Sequence, residues 1–268
     1  AENTQFNDVL IATDTITSAL NRPYLLRFSL KKMYVFWQRK TTIEMALSID
    51  GGKTFTKPAA VTPKDFVAQR STAAYISPGR LLVAFQGRPL GISNNRIFVT
   101  FSDDKGATFS KPIEVSSPEP EAKSLMPSMT YATNGLLHLA WHLEDTKAQV
   151  TGWMSRSSDG ETWDPPVSAP GVNSELLVRA GKGDTLYLSG WDKKETQGGQ
   201  PLFVTSPDVG ATWWPPANIP KAEKSIVMNH DVAADRKKGV LHVVWWQLHT
   251  QGISKSSLNL STIGKEGK

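Results

Sequence analysis

Seven polar side chains in this sequence are of types that could bind or transform a ligand if the fold brings them together. Arginine pairs with carboxylates through two parallel hydrogen bonds. Two carboxylates flanking one bond carry out most glycoside hydrolysis, and histidine titrates near neutral pH and ligates metals. The candidates for a ligand-binding site are Arg22, Arg70, His142, Glu175, Asp192, Asn229 and His230.

Local motifs do not assign these residues to a catalytic mechanism. The chain has no Gly-x-Ser-x-Gly, no phosphate-binding loop and no His-Glu-x-x-His. Glu175 and Asp192 are the candidates for a carboxylate pair, and their separation is not readable from sequence. His142, His230 and His249 lack metal-ligand spacing, so no metal site is predicted. Zero cysteines exclude thiol catalysis, a disulfide framework and covalent haem attachment, and no cofactor is predicted.

A repeated loop sets the elements that must position these side chains. The segment 102–109 fits Ser-x-Asp-x-Gly-x-Thr-aromatic, and copies begin at Ser48, Ser157 and Ser206, the one at Ser157 being a residue shorter. Successive copies start 49 to 55 residues apart, which indicates an internal repeat. We call these segments the box loops. Because Asp accepts hydrogen bonds from amides ahead of it and Gly supplies a positive φ, each loop supports itself. A structural role is therefore predicted for Asp50, Asp104, Asp159 and Asp208.

The box loops resemble the Asp-box, or BNR repeat, of sialidases and several other propeller families. Four copies match the repeat class specifically, and together they span most of the chain. In those families the boxes connect the third and fourth strands of a blade, away from the active face. The resemblance implies a β-propeller whose ligand-binding residues lie on the face opposite the box loops.

The segments between the box loops predict how many blades there are. They are short, β-rich and bounded by Gly, Pro and Asn turns, with no helical pattern. After the fourth box loop three more such segments follow between residues 225 and 258, and one strand-like run, 7–13, precedes the first unit. Pairing 7–13 with the last blade would close the ring and remove its open edges.

The prediction is therefore an all-β, five-bladed β-propeller with four-stranded antiparallel blades, forming one domain over 1–268. Six blades are less favoured because each would have only about 45 residues, below the observed repeat spacing. The predicted blades span about 18–63, 64–118, 119–170, 171–220 and 221–260.

The units can be aligned on the aromatic residue that ends each second strand. These aromatics are predicted to pack between blades rather than to stack on a ligand. The aligned residues are Trp37, Phe85, Trp141, Trp191 and Trp245.

The same alignment places the ligand-binding candidates on one face. Starts of inner strands and ends of second strands lie together in antiparallel blades, opposite the box loops, where propellers bind ligands around the central channel. The residues aligned at the starts of the inner strands are Arg22, Arg70, Met126, Leu176 and His230.

Sialidases hold a substrate carboxylate with three arginines, use a Tyr–Glu pair as nucleophile and an Asp as acid/base, and carry the first arginine in Arg-Ile-Pro. The corresponding stretch here is 21–24, Asn-Arg-Pro-Tyr, and the candidates for the arginine triad are Arg22, Arg70 and Arg179. All five tyrosines lie at or before residue 187, so none matches the late tyrosine of that family. The catalytic set of sialidases is therefore not matched.

Composition limits the partners and suggests a compartment. No apolar run approaches the ~18 residues of a membrane span. The net charge of +5 is scattered among 25 acidic residues, which favours a solvated surface over nucleic-acid binding. The start Ala-Glu-Asn-Thr, without Met, resembles an end left by signal-peptide cleavage, although trimming would give the same start. A bacterial periplasmic or secreted protein is predicted.

Three functions are compatible with these observations. The favoured one is a non-catalytic exported binding or scaffolding propeller that recognises a protein or glycan through its channel mouth or through the edge 213–216. One alternative is a sialidase-like glycoside hydrolase. The other is an accessory subunit of a larger exported complex, in the envelope or in electron transfer.

Overall fold

The computed structural model shows an all-β protein in the part of the chain that it describes. Its nineteen elements are all β-strands, and the described residues contain no helix that could span a membrane. Side chains are described except for Leu20, Asn21, Arg22, Gln200, Met228 and His249. The described residues are 9–12, 20–76, 79–116, 121–192, 200–219, 225–249 and 256–264.

The strands form five antiparallel sheets, each of which is one blade. Blade 1 contains β1 (Leu20–Arg27), β2 (Met33–Arg39), β3 (Thr42–Ser48) and β4 (Ala59–Ala60). Blade 2 contains β5 (Phe66–Ile76), β6 (Arg80–Pro89), β7 (Arg96–Ser102) and β8 (Ile113–Glu114). Blade 3 contains β9 (Lys123–Tyr131), β10 (Leu137–Glu144), β11 (Val150–Ser157) and β12 (Val167–Ser168). Blade 4 contains β13 (Ser174–Ala180), β14 (Leu186–Asp192), β15 (Gln200–Ser206) and β16 (Ala217–Asn218). Blade 5 contains β17 (Ser225–Asp235), β18 (Val240–His249) and β19 (Ser256–Ile263).

The blades are arranged around a central channel. Strands pair with their neighbours in sequence within each blade, and the inner strands β1, β5, β9, β13 and β17 contact one another in that order. Apolar side chains of adjacent blades form four buried clusters, one at each successive interface from blades 1 and 2 to blades 4 and 5. The chain is a five-bladed β-propeller, which confirms the predicted fold class.

The predicted closing strand over 7–13 stays a prediction. Residues 9–12 are not in a strand, and residues 7, 8 and 13 lie outside the described residues. Blade 5 accordingly has three strands in the part of the chain that the structure describes, whereas each of the other blades has four.

Each box loop is held by hydrogen bonds within itself. The Ser102 hydroxyl donates to Asp104 Oδ1 (2.7 Å) and accepts from the N–H of Gly106 (2.7 Å). Asp104 also accepts from the N–H and the hydroxyl of Thr108 (2.9 and 2.6 Å). The first and fourth box loops repeat this pattern. In the shorter third loop, Asp159 accepts two backbone N–H groups instead.

These bonds favour the ionised form of the box aspartates. Hydrogen bonds from the side chain and the N–H of Thr54 lower the pKa of Asp50 to about 2. Equivalent bonds lower the pKa values of Asp104, Asp159 and Asp208. The carboxylates therefore act within their own loops, as local supports of the turn.

Strand register places the box loops and the channel mouth at opposite ends of each blade. Leu81, at the start of β6, pairs with Ser102, the first residue of a box loop. Gln86, near the end of the same strand, pairs with Gln69 at the start of the inner strand β5. Because the strands are antiparallel, residues near Gln69 face the channel mouth, far from the box loops.

The aromatic alignment is wrong in blade 4. Leu137 pairs with the first residue of its box loop, and Trp141 follows four positions later. Leu186 is the equivalent residue in blade 4, and four positions later stands Gly190, so Trp191 is one position further along. A shift of one residue turns a side chain to the other face of the sheet. Trp191 consequently packs towards blade 5, whereas Trp141 packs towards blade 2.

Candidate functional site

The inner strand of every blade carries a β-bulge at the channel mouth. In β5 the pairing shifts between Gln69 and Ser71, and the other four inner strands have equivalent shifts. Arg70, Met126 and Glu175 occupy the bulges with φ values of 46°, 56° and 51°. Non-glycine residues at positive φ are uncommon, and each costs about 1–3 kcal/mol. Such bulges re-aim side chains, here towards the channel axis.

The second strand of the preceding blade supports two of these bulges. The N–H of Met126 donates to Gln86 Oε1 (2.9 Å), and the N–H of Glu175 donates to His142 Nδ1 (3.1 Å). The second bond requires His142 Nδ1 to be unprotonated. His142 is buried and does not line the cavity described next, so it is a positioning residue for Glu175.

The bulges surround an open cavity at the end of the central channel, which we call the channel-mouth cavity. Its volume of about 470 Å³ lies within the range of small-molecule sites. Residues from all five inner strands contribute to it. The lining residues are Pro23, Tyr24, Arg70, Ser71, Met126, Pro127, Glu175, Leu176, Leu177, Asn229 and His230.

Trp191 contacts both Glu175 and His230 on one side of this cavity. The indole N–H of Trp191 donates to Glu175 Oε2 (3.2 Å). The Trp191 ring lies edge-on to the ring of His230, with 5.4 Å between centroids. His230 Nε2 is 3.1 Å from the Ser189 hydroxyl, and its buried Nδ1 has no hydrogen-bond partner among the described residues.

The electrostatic state of His230 follows from its burial. Its pKa is lowered to about 4, mainly by removal from water; the neighbouring Asp231 opposes this shift and Arg179 adds to it. The imidazole is therefore neutral at neutral pH. Because Nε2 is paired with Ser189, the neutral ring has only Nδ1 left for a further hydrogen bond, and it adds no charge to the cavity.

Trp191 is the site residue that sequence reasoning missed. The alignment with Trp37 and Trp141 predicted that Trp191 only packs between blades, whereas its strand register places it beside Glu175. The first residue of each box loop pairs with a residue at the start of the second strand of the same blade. Counting along the second strand from that residue would have shown that Trp191 is one position out of register with Trp37 and Trp141.

Other sequence candidates lie away from the cavity. Asp192 accepts a hydrogen bond from the side chain of Asn173 (3.2 Å) and does not line the cavity, so Glu175 is the one carboxylate in its described lining. Adjacent strand residues point to opposite faces, which separates Asp192 from the Trp191 side. The side chains of Arg22 and His249 lie outside the described residues.

Arg179 has a bridging position below the channel mouth. Its guanidinium donates to the Ser128 hydroxyl (3.0 Å) and to the carbonyl oxygens of Val178 and Val232 (2.9 and 3.1 Å). It also lies 3.5 Å from Asp231. These bonds connect blades 3, 4 and 5, so Arg179 does not join Arg70 in the lining of the cavity.

The described residues contain no group of three or more histidine, aspartate or glutamate side chains that could hold a metal ion. The polar groups of the channel-mouth cavity are the guanidinium of Arg70, the carboxylate of Glu175, the amide of Asn229 and the neutral imidazole of His230, and apolar side chains surround them.

Comparison with known proteins identifies the fold. No known family profile and no curated protein sequence matches the chain. A protein of unknown function from Dyadobacter fermentans has a similar structure, with TM-score 0.70, 16% identity, and coverage of 96% of this chain and 82% of that one. An α-L-arabinanase from Penicillium chrysogenum, complexed with arabinobiose, has TM-score 0.61, 13% identity, and coverage of 88% and 80%.

A variant of the NanB sialidase from Streptococcus pneumoniae is similar at TM-score 0.60 and 14% identity, over 84% of this chain and 36% of that one. Polysaccharide lyases are also among the similar structures. The present chain thus spans little more than a third of the sialidase. Likeness at these identities shows a shared fold and leaves the activity to be argued from the site.

Proposed function

We propose that the channel-mouth cavity binds a glycan and does not cleave it. The observation that carries this proposal is the convergence of five bulged inner strands on one cavity. Its described lining presents Arg70, Asn229 and a single carboxylate, Glu175. Maintaining non-glycine residues at positive φ in three blades is costly, and such strain collects at ligand sites.

A glycan fits the chemistry of this lining. Sugar hydroxyls both donate and accept hydrogen bonds, and Arg70, Glu175 and Asn229 supply matching groups. Tyr24 and Met126 offer apolar surface to the C–H faces of a sugar ring. The names of similar structures, an arabinanase complexed with arabinobiose, a sialidase and polysaccharide lyases, agree with this ligand class.

The lack of a second carboxylate in the described lining favours binding over hydrolysis. Retaining and inverting glycosidases both place two carboxyl groups across the scissile bond. Asp192, the sequence candidate for the second, is bonded to Asn173 outside the cavity. A tyrosine nucleophile would need a carboxylate to activate it, and the hydroxyl of Tyr24 donates instead to the carbonyl oxygen of Ala73 (3.3 Å).

We infer in addition that the box loops are Asp-box repeats and that the protein works outside the cytoplasm. The bonding pattern repeated in three of the loops supports the first inference. A location in the periplasm or outside the cell fits a glycan ligand, because structural polysaccharides lie there. A protein partner in an exported complex is the remaining alternative.

Replacing the charged groups of the cavity is expected to weaken glycan binding. Arg70→Ala and Glu175→Gln should each raise Kd roughly tenfold, since a hydrogen bond to a charged group contributes about 1.5–3 kcal/mol. Titration calorimetry with arabino-oligosaccharides, uronate-containing oligosaccharides and sialyllactose measures the effect. The matched control is Arg27→Ala, an exposed arginine bonded only to nearby carbonyl oxygens in the described structure, which should leave Kd unchanged.

Three results would contradict non-catalytic glycan binding. If none of these probes binds, or if binding is indifferent to both cavity substitutions, the channel mouth is not a glycan site. If the wild-type protein releases products from a fluorogenic sialoside or a uronate polymer and Arg70→Ala does not, the protein is an enzyme. If a stoichiometric protein partner co-purifies and covers this face, the accessory-subunit alternative is correct.

A further inference from the structure

A larger cavity lies at the other end of the molecule, between blades 3 and 4 and beside the fourth box loop. Its volume is about 650 Å³, and we call it the blade 3–4 groove. One wall comes from β12 and its flanking prolines, and the other comes from the box loop with the aromatic ring of Trp213. The principal apolar lining residues are Met154, Pro165, Val167, Pro170, Val209 and Trp213.

His138 lines this groove and carries an unmatched polar atom. It is 3% exposed, and its Nε2 has no hydrogen-bond partner among the described residues. Tyr34 and Tyr187 occupy the position equivalent to His138 in the second strands of their blades. Their hydroxyls donate to the carbonyl oxygens of Lys105 and Gly239 in the next blade. Burying an imidazole without such a bond is costly, so the fold itself does not explain a histidine at this position.

The fourth box loop is strained where it lines the groove. Val209 has φ 50°, although a β-branched residue is an outlier in the left-handed region. At the equivalent position the first and second box loops have Gly51 and Lys105. The side chain of Val209 packs against the core between blades 3 and 4, and it therefore provides a fixed apolar wall beside Trp213.

A balanced pair of charges forms the polar rim of the groove. Arg156 Nε lies 2.6 Å from Asp164 Oδ2, and both side chains are about half exposed, at 52% and 55%. The pair leaves further guanidinium N–H groups and Asp164 Oδ1 without a bond to a described residue. Burial, together with the nearby Arg156, lowers the pKa of His138 to about 4, so the groove carries no net charge at neutral pH.

We propose that the blade 3–4 groove binds a sugar ring of an uncharged glycan, at a site separate from the channel mouth. The indole of Trp213 suits the apolar C–H face of a sugar ring. The planar groups of Arg156 and Asp164 suit two neighbouring hydroxyls, one accepting and one donating. Opposite charges in equal number give no preference for an anionic ligand, and the cavity has the apolar walls and few polar groups of a small-molecule site.

Nuclear magnetic resonance of the tryptophan indole N–H groups tests this proposal. The signals of Trp213 and Trp191 report separately on the groove and on the channel mouth, and Trp213→Phe and Trp191→Phe assign them. Neutral gluco-, manno-, galacto- and arabino-oligosaccharides are titrated into the wild-type protein at millimolar concentrations. The expected result is a saturable shift of the Trp213 signal with at least one of them, retained in the Arg70→Ala variant.

Substitutions in the groove should weaken this binding without unfolding the protein. Asp164→Asn, at the exposed rim, should raise Kd by roughly tenfold. His138→Leu should raise Kd several-fold while the unfolding temperature stays the same or rises, because Leu82 occupies the same place in blade 2 and is fully buried. Trp214→Ala is the control, since this exposed neighbour of Trp213 does not line the groove.

Two outcomes would overturn the proposal. One is that no neutral oligosaccharide shifts the Trp213 signal. The other is that the shift disappears in Arg70→Ala and persists in Asp164→Asn, which would place all binding at the channel mouth. Failure of the groove and failure of the channel-mouth function are distinguishable, because the two indole signals report on different cavities.

Discussion

Lowering the pH from 6.5 to 4 is expected to reduce the free energy of unfolding by about 5 kcal/mol, about 2.5 kcal/mol from each of two buried histidines. Burial lowers the pKa values of His138 and His230 from 6.5 to about 4. The unfolded chain therefore takes up protons first as the pH falls. Stability declines as the pH falls through 6.5, and the decline levels off below pH 4, as both histidines become protonated in the folded state as well.

The box aspartates should produce a second, separate loss at lower pH. Their pKa values are lowered in the folded state, that of Asp50 from 3.8 to about 2. The folded protein keeps these carboxylates ionised when the unfolded chain has begun to protonate them, so their contribution is present above pH 3.8 and is lost as the pH falls towards 2. Acid unfolding should thus reflect the histidines first and the box loops afterwards.

Urea unfolding at several pH values between 6.5 and 4 measures the loss of stability caused by the two histidines. The double variant His138→Leu, His230→Leu should lose much less stability over this range, and each leucine has a counterpart in another blade, Leu82 and Leu176. His242→Gln, at a half-buried histidine in blade 5, is the control and should follow the wild-type protein. A wild-type unfolding free energy that stays level across this range would show that burial does not control these histidines.

Gly160→Ala is expected to destabilise the protein by roughly 3 kcal/mol. Gly160 has φ 79° in the third box loop, and an added Cβ would clash with Leu82 Cδ2 in the core between blades 2 and 3. The substitution combines backbone strain with overpacking of a fully buried leucine. For a domain of this size the unfolding temperature should fall by about 10 °C, as measured by calorimetry.

A second glycine separates the two causes. Gly183 also has a positive φ, 60°, and nothing lies within 4 Å of its added Cβ. Gly183→Ala should therefore lower the free energy of unfolding only through backbone strain, by about 1 kcal/mol. The double variant Gly160→Ala, Leu82→Ala should be less destabilised than the sum of its single changes, because the smaller residue 82 makes room for the methyl group. Equal effects of the two glycine substitutions would refute the packing explanation.

Sequence reasoning succeeded where the interactions are local. The bonds of Asp104 to Ser102 and Thr108 span two to four residues, so the loop could be recognised from spacing alone, and its recurrence predicts the five blades. The channel-mouth face followed from strand direction. Arg70, Glu175, Asn229 and His230 were candidates, and all four line the cavity.

What the tertiary structure decided depends on contacts between distant residues. Whether Trp191 faces blade 5 or blade 3 depends on a one-residue difference in strand register, which propensity and hydrophobic pattern do not specify. His142 supports Glu175 across 33 residues of sequence, and His138 is buried between two blades. The chain itself thus determined the repeat and the fold, because each turn is stabilised by its own residues. Packing between blades determined which polar groups share a cavity.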